Sequence, residues 1–239
     1  MKAFLLAAGL GTRLRPLTNN IPKCLVDING RPLLSWWIDL FEEHKISEVL
    51  INLHYLPEAV ELFLKDYHTS IKFTFFYEEK LLGSAGTLKA NEKFIEGESD
   101  FFVCYADNLT NYDLTSFYDF HKKRKSSFSM ALFRTDTPKS KGIVELNRNK
   151  LITSFEEKPQ EPKTNLANAG IYLASKDILE LIPNKPLSDI GFDLLPQLVN
   201  KMYGWESDDY LLDIGTLEYL KQANNEWPRI INRNKNEFK

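Results

Sequence analysis

The sequence of 239 residues has only two cysteines, Cys24 and Cys104, and their positions match no metal-ligand spacing. Two cysteines do not make a disulfide framework, so we expect a protein of a reducing compartment, the cytoplasm. The sequence also lacks an apolar run long enough to span a membrane. Its first residues lack the long apolar stretch and the cleavage site of a signal peptide. We therefore expect no association with a membrane.

An excess of positive charge is also absent, because 30 lysine and arginine residues face 33 acidic ones, for a formal net charge of -3. A general nucleic-acid binder would present a strongly basic face, so we expect no nucleic-acid partner. A nucleotide substrate remains open, since a triphosphate needs only a few well-placed cations and a metal ion. The length suits one α/β domain, predicted over residues 1–231, followed by a polar tail over residues 232–239.

Short apolar runs alternate with stretches of helical periodicity through the first half of the sequence. We predict strands over residues 4–8, 48–53, 71–77, 100–106 and 128–133. The intervening helices are predicted over residues 33–43, 57–67, 85–94 and 114–125. This alternation is typical of βαβ units, which build a mainly parallel sheet covered by helices on both faces. The predicted fold is therefore a single Rossmann-like α/β domain with three layers, α/β/α.

Shorter strands are predicted later in the chain, over residues 142–146, 151–156 and 169–174. The close spacing of the first two predicts an antiparallel pair that forms a small lid beside the main sheet. Helices over residues 192–199 and 216–226 are predicted to close the domain.

A glycine-rich loop follows the first predicted strand, and ligands bind beyond the carboxyl ends of parallel strands. Gly9 and Gly11 would let backbone amides approach phosphate oxygens, while Arg13 and Lys23 add positive charge. Leu14 takes the place of the third glycine of a dinucleotide-binding fingerprint, and the Gly-Lys-Ser/Thr ending of a Walker loop is absent. Two interpretations remain, a phosphate-binding loop and a plain strand-to-helix turn with surface cations.

The stretch Gly-Leu-Gly-Thr-Arg-Leu-Arg-Pro-Leu-Thr at residues 9–18, followed by Ile-Pro-Lys at 21–23, resembles the signature of sugar-1-phosphate nucleotidylyltransferases, or NDP-sugar pyrophosphorylases. The resemblance implies the nucleotide-diphospho-sugar transferase fold and a loop that wraps a nucleoside triphosphate. Arg13 would hold the departing phosphates and Lys23 would stabilise charge near the reacting centre, so both would be catalytic. The nucleotide-binding residues of this region would be Ala8, Gly9, Gly11, Thr12, Arg13 and Lys23.

Further segments resemble the family in the same order along the chain. Asp107 follows a predicted strand and would bind the nucleotide and, together with Asp213, a magnesium ion. Taken alone, either aspartate is also suited to capping a turn or a helix. Residues 82–87 would contact the nucleotide through Gly83, Ser84 and Gly86.

The resemblance also implies a site for the sugar phosphate, in part on the predicted lid. Lys158 would pair with the phosphate of the acceptor. Taken alone, the run Glu-Glu-Lys at 156–158 is also typical of a solvated charge cluster, and an asparagine before a strand is typical of a turn. The sugar-phosphate-binding residues would be Asn108, Gly142, Glu157, Lys158 and Asn168.

The implied reaction joins a nucleoside triphosphate and a sugar 1-phosphate into an NDP-sugar and releases pyrophosphate. Overall similarity favours GTP with mannose or heptose 1-phosphate, and thymidylyl, uridylyl or cytidylyl transfer to another sugar or amino-alcohol phosphate is the alternative. A metal-dependent glycosyltransferase and a non-catalytic nucleotide-sugar sensor are the alternatives from other classes. The resemblance implies Mg²⁺ as cofactor and a role in nucleotide-sugar and polysaccharide biosynthesis, and we expect a monomer or a homodimer.

Overall fold

A sheet of parallel and antiparallel strands organises the protein, in a computed structural model that describes residues 1–237, with side chains described through residue 232. The strands are β1 (Lys2–Leu6), β2 (Asp27–Ile28), β3 (Arg31–Pro32), β4 (Glu48–Leu53), β5 (Lys72–Tyr77), β6 (Asp100–Tyr105), β7 (Asn108–Thr110), β8 (Phe128–Arg134), β9 (Gly142–Leu146), β10 (Ile152–Glu157), β11 (Leu166–Ser175), β12 (Tyr203–Glu206) and β13 (Leu211–Asp213). The α-helices are α1 (Leu33–Glu43), α2 (Pro57–Asp66), α3 (Ser84–Ala90), α4 (Leu114–Arg124), α5 (Leu195–Leu198) and α6 (Leu217–Glu237). None of the helices within residues 1–237 has the length and apolar content needed to cross a membrane.

The main sheet has nine strands within the described residues, and its central order is β10-β9-β11-β6-β1-β4-β5. Strands β6, β1, β4 and β5 are parallel neighbours, so their carboxyl ends lie along one edge of the sheet. Strand β11 runs antiparallel to β6, β8 and β9, and β12 pairs with the far side of β8. The crossovers through α1, α2 and α3 account for the parallel part, because parallel neighbours need a long return connection.

Both faces of the parallel strands are buried. In β1, Phe4 and Leu5 belong to two different hydrophobic clusters, and Phe101 and Phe102 of β6 divide in the same way. Successive side chains of a strand point to opposite faces, so each cluster needs its own cover of helices. Trp37 of α1 packs in the cluster of Leu5, whereas α3 and α5 contribute to the cluster of Phe4. The three layers confirm the predicted α/β/α class.

The predicted antiparallel lid corresponds to the pair β9 and β10, which are antiparallel from Glu157 opposite Gly142 to Ile152 opposite Leu146. The pair is joined to the main sheet, because Ala167 of β11 lies opposite Ile143 of β9. Strand β11 leaves β8 between Asn168 and Tyr172, where the register shifts. The lid therefore extends the edge of the sheet.

A separate two-stranded ladder joins β7 to β13, with Asn108 opposite Asp213. Helix α6 covers this ladder, and its Trp227 meets Trp36 of α1 edge to face, with ring centroids 5.4 Å apart. Strand β13, which lies more than a hundred residues downstream of β6 in the sequence, is thereby held beside the carboxyl end of β6.

The helix boundaries differ most from prediction at α3 and α6, and the helix predicted over 192–199 is a helical turn, Ile190–Leu194, followed by the short α5. The predicted helix over 85–94 ends as α3 at Ala90, because Asn91 leaves helical geometry (φ -115°, ψ 27°) and its side-chain amide donates to the Thr87 carbonyl. A separate helical turn, Glu92–Ile95, follows. The last helix, α6, continues past the predicted end at residue 226, and residues 238 and 239 of the predicted tail lie outside the described residues.

Candidate active site

The carboxyl ends of β1, β4 and β6 open into a first cavity of about 380 Å³. This is the position at which open α/β sheets bind ligands. The glycine-rich loop forms one wall and the segment before α3 forms the opposite wall. The predicted nucleotide-binding residues that line it are Ala8, Gly9, Lys23, Gly83, Ser84 and Asp107.

The glycine-rich loop is held in a compact form by its own hydrogen bonds. The carbonyl oxygen of Gly11 accepts from the Leu14 amide at 3.0 Å and from the hydroxyl of the buried Thr18 at 2.7 Å. Gly11 itself has a left-handed backbone (φ 62°), and Thr12 begins the short helical turn that carries Arg13. Gly11, Thr12 and Arg13 are not among the residues that line the first cavity, although a Cβ on Gly11 would lie 3.3 Å from the Cβ of Lys23, which does line it.

The two predicted metal ligands lie side by side. The β7–β13 ladder places Asp213 opposite the residue after Asp107, and the Ile214 amide donates to the Asp107 carbonyl at 2.8 Å. The ammonium of the buried Lys23 lies 2.5 Å from Asp107 Oδ2 and 3.7 Å from Asp213 Oδ1. Arg13 also lies near Asp213, since a Cβ built on Gly215 would be 3.1 Å from both Arg13 Nη2 and Asp213 Oδ1. Four residues predicted from three separate motifs therefore share one charge cluster.

The Asp107–Asp213 pair suits a magnesium ion. Asp213 Oδ1 is buried and has no hydrogen-bond partner among the described residues, so it is an acceptor in need of a cation or a donor. No cluster of three or more metal-binding side chains occurs within the described residues. Mg²⁺ does not need such a cluster, because one or two carboxylates and substrate phosphates commonly hold it.

The Asp213 carboxyl is kept ionised by its surroundings. Burial raises its pKa, but the nearby charges of Lys141, Lys23 and Arg13 outweigh burial and lower the pKa below its ordinary value. The Lys141 ammonium lies 3.0 Å from Asp213 Oδ2. A charged carboxylate is the form that a metal ion requires.

The far wall of the first cavity is a buried polar network around Glu78. Its Oε1 accepts from the Asn52 amide at 2.8 Å and from the Thr87 hydroxyl, and its Oε2 accepts from the Leu82 amide at 2.9 Å. Asn52 Oδ1 in turn accepts from the Ala7 amide at 2.7 Å, which ties this wall to the end of β1. A carboxylate has about four acceptor positions, so Glu78 retains capacity toward a ligand.

A second cavity of about 260 Å³ adjoins the first and shares Tyr105, Asp107 and Asp189 with it. The predicted sugar-phosphate-binding residues all line this second cavity: Asn108, Gly142, Glu157, Lys158 and Asn168.

Glu157 and Asn168 both line this second cavity, and hydrogen bonds hold the Asn168 side chain. Burial raises the pKa of Glu157, and a Cβ on Gly142 would lie 2.7 Å from Glu157 Oε2. The Asn168 amide donates to the Tyr172 hydroxyl at 2.7 Å, and its Oδ1 accepts from the Gly170 amide. The Asn168 side chain is therefore held in one orientation at the lining of the second cavity, and Glu157 lies close to Gly142.

Residues 187–192, here called the strap, connect the two cavities. Leu187 lines the first cavity, Phe192 lines the second, and Asp189 lines both. The Ser188 carbonyl accepts from the Ala85 and Gly86 amides, each at 3.0 Å, and the Ser188 amide donates to the Leu82 carbonyl at 2.8 Å. Gly86 thus holds the strap and does not line the first cavity.

Several site residues were not predicted from the sequence. Glu78 directly follows β5, so the rule that ligands bind beyond strand ends could have found it. Lys141 directly precedes Gly142, which was predicted. Asp189 carries no local signal, because its position depends on the bonds between Ser188 and the start of α3.

Comparison with known proteins identifies the family of the chain. The family model for nucleotidyl transferases matches residues 2–229. Mannose-1-phosphate guanyltransferase 2 of Candida glabrata is 34% identical over 222 residues, or 90% of this chain and 61% of the relative. Mannose-1-phosphate guanylyltransferase 1 of Arabidopsis thaliana is 35% identical with the same coverage of 90% and 61%. The crystal structure of HddC from Yersinia pseudotuberculosis complexed with GMP-PN is 27% identical and superimposes with a TM-score of 0.80 over 95% of this chain and 99% of that one.

The chain belongs to the nucleotidyl transferase family. The family membership confirms the resemblance carried by the glycine-rich loop. The chain spans about three fifths of the length of the curated relatives it matches.

Proposed function

We propose that this protein transfers a guanylyl group from GTP to a sugar 1-phosphate, with mannose or heptose 1-phosphate as acceptor and pyrophosphate as the second product. The observation that carries the proposal is the junction of two cavities at Asp107, with Lys23 placed between Asp107 and Asp213. The first cavity would hold the triphosphate and the second the sugar phosphate.

The reaction is an in-line displacement at the α-phosphorus of GTP. The attacking phosphate oxygen is already anionic near neutral pH, since its second pKa lies near 6, and a general base is not needed. The difficulty is repulsion, because two unit charges at about 4 Å repel by about 4 kcal/mol at an effective dielectric near 20. Catalysis therefore rests on positioning and on charge placed where the two polyanions meet.

Lys23 is suited to that task. It is buried, its ammonium is fixed by two carboxylates, and it faces the first cavity. Arg13 lies at the edge of the same cluster, where a planar guanidinium could bind the departing phosphates. Asp107 and Asp213 would hold Mg²⁺, which when bound supplies further positive charge to the phosphates.

The choice of guanine is supported by two observations. The relatives from Candida glabrata and Arabidopsis thaliana are named as guanylyl-transferring enzymes, and HddC was solved with GMP-PN. Glu78 also offers a carboxylate acceptor at the wall of the first cavity. Guanine presents the donors N1–H and N2–H₂, and one of them could use the acceptor position that Glu78 retains.

The test is a matrix of GTP, ATP, CTP, UTP and dTTP against mannose, heptose and glucose 1-phosphates, scored by pyrophosphate release with Mg²⁺ present. We expect the fastest release from GTP with mannose or heptose 1-phosphate. The Lys23→Ala variant serves as control and should lose most of the release. Absence of release from every pair would overturn the proposed reaction, and faster release with another nucleotide would overturn the choice of base.

A further inference from the structure

Lys141 is a charged residue of the second cavity that the sequence motifs did not identify. Its side chain is 21% exposed, and its ammonium lies 3.0 Å from Asp213 Oδ2. It stands immediately before β9, at the end of the lid that faces the cavity. The ion pair holds the ammonium against Asp213, which lines the second cavity beside Asp107.

The backbone places Lys141 directly beside Lys158. Glu157 lies opposite Gly142 in the β9–β10 pair, and the Lys158 amide donates to the Lys141 carbonyl at 3.0 Å. Lys141 and Lys158 are therefore backbone neighbours one residue beyond the end of the β9–β10 ladder. Lys158 has a left-handed backbone (φ 51°) and so leaves strand geometry here, but the side chains of both lysines line the second cavity, where they could reach one phosphate.

The charge of the second cavity favours a second lysine at the acceptor phosphate. Among the described residues, four carboxylates line it, from Asp107, Glu157, Asp189 and Asp213, against only Lys141 and Lys158 as cations. A sugar phosphate brings up to two more negative charges to this acidic surface. Lys23 also lies beside Asp107 and Asp213, but among the residues that line the second cavity one exposed lysine would face four carboxylates, so a second cation favours binding of the acceptor phosphate.

We propose that Lys141 binds the phosphate of the acceptor together with Lys158, as the second arm of a two-lysine clamp. The identity of the acceptor rests on the proposed function, whereas the clamp needs only a phosphate monoester in the second cavity. The ion pair with Asp213 keeps the Lys141 ammonium next to the point where the acceptor phosphate must meet the α-phosphorus. The alternative is that Lys141 only neutralises Asp213.

The test compares Lys141→Met with Lys158→Met and with Lys139→Met, an exposed lysine of the adjacent turn that serves as matched control. Each clamp variant loses a charged hydrogen bond to the phosphate. We therefore expect its KM for mannose 1-phosphate to rise about 10- to 100-fold. The KM for GTP should change less than about twofold, and Lys139→Met should resemble the wild type. Lys141→Arg, which keeps the charge, should recover part of the affinity.

Calorimetric titration of mannose 1-phosphate into the full chain without GTP measures the clamp independently of turnover. We expect weaker binding in Lys141→Met and in Lys158→Met and unchanged binding in Lys139→Met. If Lys141→Met does not fold, Lys141→Gln gives the same comparison, because its amide can still donate to Asp213. Wild-type affinity for mannose 1-phosphate in the Lys141 variants, or a loss confined to GTP, would overturn the clamp. If the wild type binds the sugar phosphate but releases no pyrophosphate, the proposed reaction fails while the clamp stands.

Discussion

Replacing Gly83 with alanine tests how the first cavity is held together. Gly83 has φ 80° and ψ 161°, a conformation that side chains other than hydrogen rarely adopt. A Cβ at this position would lie 2.3 Å from the Ser188 carbonyl oxygen. That oxygen accepts from the Ala85 and Gly86 amides, which attach the strap to the start of α3.

The expected destabilisation has two parts. The backbone strain costs about 1–3 kcal/mol. Displacement of the Ser188 carbonyl weakens two hydrogen bonds, each contributing about 0.5–1.5 kcal/mol. We expect a total of about 3 kcal/mol, which corresponds to a fall of about 6–12 °C in Tm for a chain of this size. Because Leu187 and Asp189 flank Ser188 and line the first cavity, the affinity for GTP should fall as well.

Gly30→Ala is the matched control, since Gly30 has the same φ of 80° and no heavy atom of the described residues lies within 4 Å of the position that an added Cβ would take. Thermal and urea unfolding of both variants, with GTP titration, separates backbone strain from the clash with Ser188. Gly30→Ala should lose about 1 kcal/mol and keep its affinity for GTP. Equal losses of stability in the two variants, with unchanged GTP affinity in Gly83→Ala, would refute the role assigned to the strap.

Three further predictions concern the charge cluster and the core. Lys23→Ala should lower kcat by about 10²–10³-fold with little change in either KM, and steady-state kinetics with unchanged turnover would contradict its assignment. Asp213→Asn should weaken Mn²⁺ binding in the presence of GTP by at least about tenfold, as measured by electron paramagnetic resonance, and wild-type affinity would remove Asp213 from the metal site. Burial lowers the pKa of His121 below 6.5, so the unfolded chain takes up a proton at higher pH than the folded chain. The free energy of unfolding should therefore fall as the pH drops from about 7.5 to 5. Urea unfolding of His121→Gln should show a flatter pH dependence over this window, and an unchanged slope would contradict the reasoning.

The alternation of apolar runs and helical periodicity was enough to predict the layers of the fold. Helix α1 and strand β4 begin and end at the predicted residues, because each is specified by its own apolar spacing and is buried on the expected side. The end of α3 was not predicted, since the Asn91 side chain competes with the backbone for the Thr87 carbonyl. A local hydrogen bond of this kind moves the end of a helix, but the helix stays in the same layer of the fold.

The residue types of the site were also present in the sequence, since a loop of glycines with Arg13 and Lys23, and an aspartate after an apolar run, are local patterns. Their assembly was decided by pairings between distant segments. The β7–β13 ladder joins Asp213 to the end of β6, and the bonds of Ser188 bring Asp189 between the two cavities. The sequence by itself determined the elements and the chemistry available at their ends, because periodicity and residue type act over a few neighbours. Only the tertiary structure decided that Lys141 faces Asp213 and that Glu78 faces the first cavity, because such contacts depend on strand register across the whole sheet.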